Sequence, residues 1–104
     1  MGTVHYKFTY NSDIDFPDSI DFNGIEANTT IDNKGNFIIE GEVKDVELDE
    51  ENQLPVYVSS SGRTGRTWQL EVLFDSKKLE IYPIEGTIGN NGFCTINKRY
   101  KLQP

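Results

Sequence analysis

The sequence predicts an all-β chain, a single antiparallel meander closing into a small β-sandwich or partly closed barrel of about seven to nine short strands. Three observations carry that expectation. Apolar residues recur at every second position in stretch after stretch, the period of a half-buried strand. Turn dipeptides and clusters of Gly, Asn and Asp interrupt the chain about every eight to twelve residues. Nowhere do apolar residues recur at i, i+3, i+4 and i+7 for long enough to give a helix a buried face. With 104 residues the chain has the length of one domain, and residues 1–104 are read as such.

The clearest strand lies in Thr67–Asp75, where Trp68, Leu70, Val72 and Phe74 share one face and Thr67, Gln69, Glu71, Leu73 and Asp75 the other. From the N-terminus, Thr3–Tyr10 alternates in the same way, with Val4, Tyr6, Phe8 and Tyr10 against His5, Lys7 and Thr9. Asn11-Ser12-Asp13 signals a turn. Proline offers no ladder donor, so Pro17 makes Ile14–Phe22 an edge strand or an extended loop leading to a short strand near Ser19–Phe22. Asn23-Gly24 is a tight-turn dipeptide.

Glu26–Asp32 and Asn36–Leu48 read as a hairpin closed around Asp32–Asn36. Phe37, Ile39, Gly41 and Val43 share a face, but Val46 and Leu48 have the opposite parity. One extra residue near Lys44-Asp45, a β-bulge, restores the register. Asp49–Asn52 is a charged connection, and Leu54, Val56 and Val58 then point inward. After a turn at Asp75–Lys78, Leu79 and Ile81 read as a short strand ended by Pro83. Ile84–Ile88 follows, Gly89–Gly92 is the strongest turn, and Phe93–Leu102 closes the sheet with Cys94, Ile96, Tyr100 and Leu102 on one face. The segments FIIEGEV (37–43) and YPIEGTI (82–88) echo each other, and the glycine after Ile-Glu is expected to mark a bend.

VHYKF followed by IDFNG resembles the opening hairpin of DWNN ubiquitin-like domains. That family's fold requires a long amphipathic helix next, and the β-branched, turn-rich ANTTIDNKGNF does not supply one. No function is taken from the resemblance.

Composition narrows the function classes. The formal net charge is −7, unevenly spread. From Met1 to Gln53 thirteen acids outnumber three lysines, and from Leu54 to Pro104 seven bases outnumber four acids. An acidic half argues against direct binding of nucleic acid. It suits a basic protein partner, self-association of oppositely charged ends, or solubility alone. No apolar run approaches the ~20 residues of a membrane span. The single cysteine makes no internal disulfide, so a cytoplasmic location is expected. Small size and abundant Asn, Ile and Asp point to a phage or bacterial source.

Two surfaces are candidates for binding. The acidic set Asp45, Glu47, Asp49, Glu50 and Glu51, with Tyr57 on the polar parity of its strand, is expected to meet a basic protein partner, as an inhibitor or accessory factor does. The alternative is capture of an anion such as a nucleotide by the Ser59–Arg66 loop, through Ser60, Ser61, Arg63, Thr64 and Arg66. That loop is no Walker A motif, since it lacks G-x-x-x-x-G-K-[ST] and a following helix. Asp13, Asp15, Asp18 and Asp21 do not follow calcium-loop spacing, so no metal is expected. His5 and Cys94 are each alone of their kind, and no nucleophile, base and orienting group can be named. The expectation is a non-enzymatic binding protein without a cofactor.

Overall fold

The computed structural model describes residues 1–10, 17–29 and 37–104. Its strands are β1 (Gly2–Thr9), β2 (Ser19–Phe22), β3 (Ile25–Glu26), β4 (Ile38–Val46), β5 (Gln53–Ser61), β6 (Thr67–Phe74), β7 (Lys77–Lys78), β8 (Ile84–Thr87) and β9 (Phe93–Lys101). No helix forms among the described residues. One antiparallel sheet has the order β4-β1-β6-β7, with β8 also pairing with β6, and the other runs β3-β2-β5-β9. The described residues are therefore all-β, two antiparallel sheets forming a small β-sandwich or partly open barrel. Its sequence-distant pairings, β1 with both β4 and β6, make the first sheet more than a run of neighbouring hairpins.

Alternation explains the core. Val4, Tyr6 and Phe8 from β1, Leu54, Val56 and Val58 from β5, and Trp68, Leu70, Val72 and Phe74 from β6 are buried between the sheets. Phe8 lies against Trp68 with ring centroids 5.0 Å apart. Tyr100 is buried from β9, while Cys94, Ile96 and Leu102 pack half-buried against the same core.

The echoed glycines have a packing cause. Gly86 is the register partner of Trp68 and Gly41 that of Tyr6. A Cβ on Gly86 would sit 2.2 Å from the Trp68 indole, and one on Gly41 2.8 Å from the Tyr6 hydroxyl. Each glycine makes room for an aromatic side chain lying across the neighbouring strand.

The expected bulge is present. Gly2 pairs with Val46 and Val4 with Val43, so β4 carries one more residue than β1 there, and Asp45 has a φ of 62°. Asn23 and Gly24 have φ of 50° and 86° and close the two-residue β2–β3 hairpin, as the primed turn demands.

Three expectations are corrected. Of the two readings of Ile14–Phe22, the edge strand fails, because β2 lies inside its sheet between β3 and β5. The pairing of 26–32 with 36–48 is not found among the described residues: β3 pairs with β2 and β4 with β1. The turn residues Asp32–Asn36 of that hairpin, like the Asn11–Asp13 turn, lie outside the described residues. The strand proposed at Leu79–Ile81 does not form, and Ile81 is 52% exposed. On the same side of β6, β7 pairs with Leu73 and Phe74 and β8 with Thr67–Leu70, so residues 79–83 must fit beside Glu71 and Val72 alone. The excess leaves the ladder and reaches the second sheet instead, where Leu79 bridges to Leu102, Glu80 N–H donates to Lys101 O, and Glu80 Oε1 accepts from Lys101 N–H.

Candidate acidic groove on the first sheet

The inward turn of Val4, Tyr6 and Phe8 obliges His5 and Lys7 to point outward, and the same logic turns Glu71 and Leu73 of β6, both half-buried, to that outer face. On β4, Glu40 and Glu42 are exposed. Register then sets these residues in rows across the outer face: Glu42, His5 and Leu73 in one, Glu40, Lys7 and Glu71 in the next. The excursion of residues 79–83 brings Tyr82 alongside. Together they line a hollow of about 450 Å³, within the ~300–1,000 Å³ of ordinary ligand-sized sites.

Three carboxylates, Glu40, Glu42 and Glu71, outnumber the bases Lys7 and His5 and leave this groove acidic. His5 Nδ1 lies 3.8 Å from Glu42, and Lys44 Nζ 3.9 Å from the same carboxylate. Both contacts are solvent-exposed, where such pairs contribute at most about 1 kcal/mol. Lys78 Nζ sits 4.8 Å from the Tyr82 ring centroid and holds the ring by a cation–π contact. Burial, and then the Glu71 charge, push the Tyr82 phenol above its ordinary value. Its hydroxyl thus stays protonated at neutral pH beside the carboxylates.

The acidic set expected from the sequence divides. Asp45, Glu47, Glu50 and Glu51 are exposed, continuing the acidic run begun by Glu40 and Glu42. Asp49 does a structural job instead. Its side chain is 15% exposed, and Oδ1 accepts the backbone N–H groups of Glu51 and Gln53, each at 2.9 Å. Arg99 Nε approaches Oδ2 at 3.6 Å. A carboxylate occupied in this way holds the β4–β5 turn. Tyr57 is not beside the acidic run: it lies on the outer face of the second sheet, between Asp21 and Asn97 in register. There it borders a smaller hollow of about 140 Å³ with Asn23 and Pro55.

The Ser59–Arg66 segment is less of a loop than expected. Ser60 and Ser61 belong to β5. Ser60 is fully buried and its hydroxyl donates to the Cys94 carbonyl at 3.4 Å, which removes it from any surface site. Arg63, Thr64 and Arg66 are exposed. Several donors that an anion would use are engaged within the protein. Gly62 N–H donates to Gly92 O, Gly65 N–H to Ile88 O and Arg66 N–H to Arg63 O, while the Thr64 hydroxyl donates to Gly89 O. The β5–β6 and β8–β9 turns are laced together, and this lacing explains the Gly and Thr content.

His5 points outward from the first sheet, whereas Cys94 sits on the core-facing parity of the second. Among the described residues no group of three or more His, Cys, Asp or Glu side chains is arranged to hold a metal ion, and no helix is long and apolar enough to cross a membrane. No protein-family model matches this chain, and no curated protein or solved structure is significantly similar to it.

The groove was missed in the sequence although its signal was there. Glu40, Glu42, Glu71 and Leu73 all sit on the outward parity of their strands. Gathering them required knowing that β1 lies between β4 and β6.

Proposed function

We propose that this protein is a non-enzymatic binding module that takes a basic protein segment on the outer face of its first sheet, acting as an inhibitor or accessory factor of that partner. The observation that carries the reading is the groove formed by Glu40, Glu42, Glu71, Leu73 and Tyr82. A lysine or arginine has a long aliphatic stem and a cationic head. Leu73 and the Tyr82 ring offer apolar and aromatic surface to the stem, and the three carboxylates attract the head. Asp45, Glu47, Glu50 and Glu51 extend the same sign of charge along the chain, which speeds encounter and selects against acidic partners.

The test is fluorescence anisotropy with a labelled lysine/arginine-rich peptide and an acidic peptide as control. The basic peptide binds, salt weakens it, and the triple variant Glu40→Lys, Glu42→Lys, Glu71→Lys weakens it by about tenfold or more. Equal binding of both peptides, or affinity unchanged in the triple variant, rejects the reading.

A further inference from the structure

β4 closes one side of the first sheet, and among the described residues it pairs with β1 alone. Which of its backbone groups this leaves unused follows from the antiparallel ladder. There a residue directs both its N–H and its C=O to one neighbour, and the next residue directs both to the other side. Phe37 O accepts from Tyr10 N–H, on the β1 side. Counting in twos, Ile39, Gly41 and Val43 also face β1, opposite Phe8, Tyr6 and Val4. Ile38, Glu40 and Glu42 therefore direct their N–H and C=O groups away from the sheet, and among the described residues nothing bonds them.

The same three residues carry their side chains on the outer face, Ile38 half-buried and Glu40 and Glu42 exposed. Both glutamates line the acidic groove, so unused ladder groups and groove share one edge. We infer that the basic segment binds as an added strand, extended along the outer edge of β4 and antiparallel to it, hydrogen-bonded to Ile38, Glu40 and Glu42. Every ladder among the described residues runs antiparallel. Residues of the segment directly opposite Glu40 and Glu42 lie on their face of the sheet, close enough for opposite charges to attract. Lys44 follows Glu42, its Nζ 3.9 Å from that carboxylate, and bounds the acidic stretch. The edge therefore selects two cations at alternate positions of the segment rather than an unbroken run. A second copy of β4 is a poor occupant, because acids would face acids. The inference rests on the basic partner proposed above and adds how that partner's backbone is held.

NMR titration of the whole chain tests it, with a threonine peptide that carries two lysines at alternate positions. In the antiparallel ladder, lysines opposite Glu40 and Glu42 direct their own backbone N–H groups to β4, and the threonines beside them direct theirs away. Methylating the backbone nitrogens of both lysines weakens binding by about tenfold or more, whereas methylating those of two adjacent threonines changes it by less than about twofold. At saturation, hydrogen exchange at the amides of Ile38, Glu40 and Glu42 slows by about tenfold or more. Ile39, Gly41 and Val43, already bonded to β1, change little. Equal affinity of the two methylated peptides, or unchanged exchange at those three amides, overturns strand addition. Equal protection by the same peptide with glutamine in place of lysine overturns the choice of a basic occupant. If strand addition fails while the unmodified peptide binds and the variant Glu40→Lys, Glu42→Lys, Glu71→Lys weakens it, the groove reading stands. Failure of every lysine-bearing peptide to bind rejects the groove reading, and strand addition with it.

Discussion

Gly86 shows how much a single side-chain position decides in this fold. A methyl group there meets the rigid, fully buried indole of Trp68, which is already packed on Phe8. At Gly41 the obstacle is the tip of Tyr6, whose hydroxyl donates to Asn28 O at 2.7 Å, and the overlap is smaller, 2.8 Å against 2.2 Å. Overpacking a core costs about 1–3 kcal/mol. Gly86→Ala is expected at the upper end of that range and Gly41→Ala at the lower, measured by urea unfolding. Equal effects would show that the indole yields as easily as the phenol. Tyrosines also set the alkaline limit. Burial raises the pKa of Tyr6 and Tyr100 above 10.0, with the Asn28 hydrogen bond partly offsetting it at Tyr6 and Glu80 adding to it at Tyr100. The unfolded phenols lose their protons first, so this contribution is complete below pH 10 and is lost as pH rises from there through the folded-state values. Melting temperature should fall above pH 10, and Tyr6→Phe should fall less steeply while losing about 1 kcal/mol at neutral pH with its hydrogen bond. Burial of Val4, Tyr6 and Phe8, of Leu54, Val56 and Val58, and of Trp68, Leu70, Val72 and Phe74 was legible from parity, whereas Ser60, expected in an exposed loop, continues the buried parity of β5. The place of Tyr82 was not legible, since it depends on chain that leaves the ladder.

The elements were legible where the cause is local. Asn23-Gly24 announces its turn, and the broken parity between Val43 and Val46 announces the bulge. Partnership between distant strands was hidden, because alternation says which face a strand buries and nothing about which strand lies beside it. The expected 26–48 hairpin paired chain neighbours by default, whereas β1 supplies β4 with a buried, aromatic face. The same limit separated Tyr57 from the acidic run. One turn offers a direct test. Asp75 and Ser76, at φ of 48° and 69°, form the two-residue β6–β7 turn, which strongly prefers glycine second. Serine in a left-handed conformation carries a cost of about 1 kcal/mol. Ser76→Gly should therefore raise the melting temperature by roughly 2–6 °C, while Asp75 keeps its acceptor role toward Thr3 N–H at 2.9 Å. A lowered melting temperature would contradict the turn geometry.

At the scale of the molecule, the acidic charge of the first half acquires a location. Glu40 and Glu42 stand on an outer face together with Glu71 from the otherwise basic second half, and Tyr82 closes the side of the hollow. The opposite charges of β4 and β9 lie at the edges of different sheets. The sequence disclosed the excess of acid but not its gathering, which depends on the order of strands. The arginine-bearing turn illustrates the converse: its glycines and hydroxyls resemble an anion cradle in composition, yet both glycine N–H groups and the Thr64 hydroxyl lace two hairpins together. Amide chemical-shift mapping during titration with a lysine/arginine-rich peptide distinguishes these surfaces most directly. The account predicts shifts concentrated at His5, Lys7, Glu40, Glu42, Glu71, Leu73 and Tyr82, fading as salt is added. Shifts confined to Tyr57 and its neighbours, or to Arg63–Arg66, or no saturable shift at all, would contradict it.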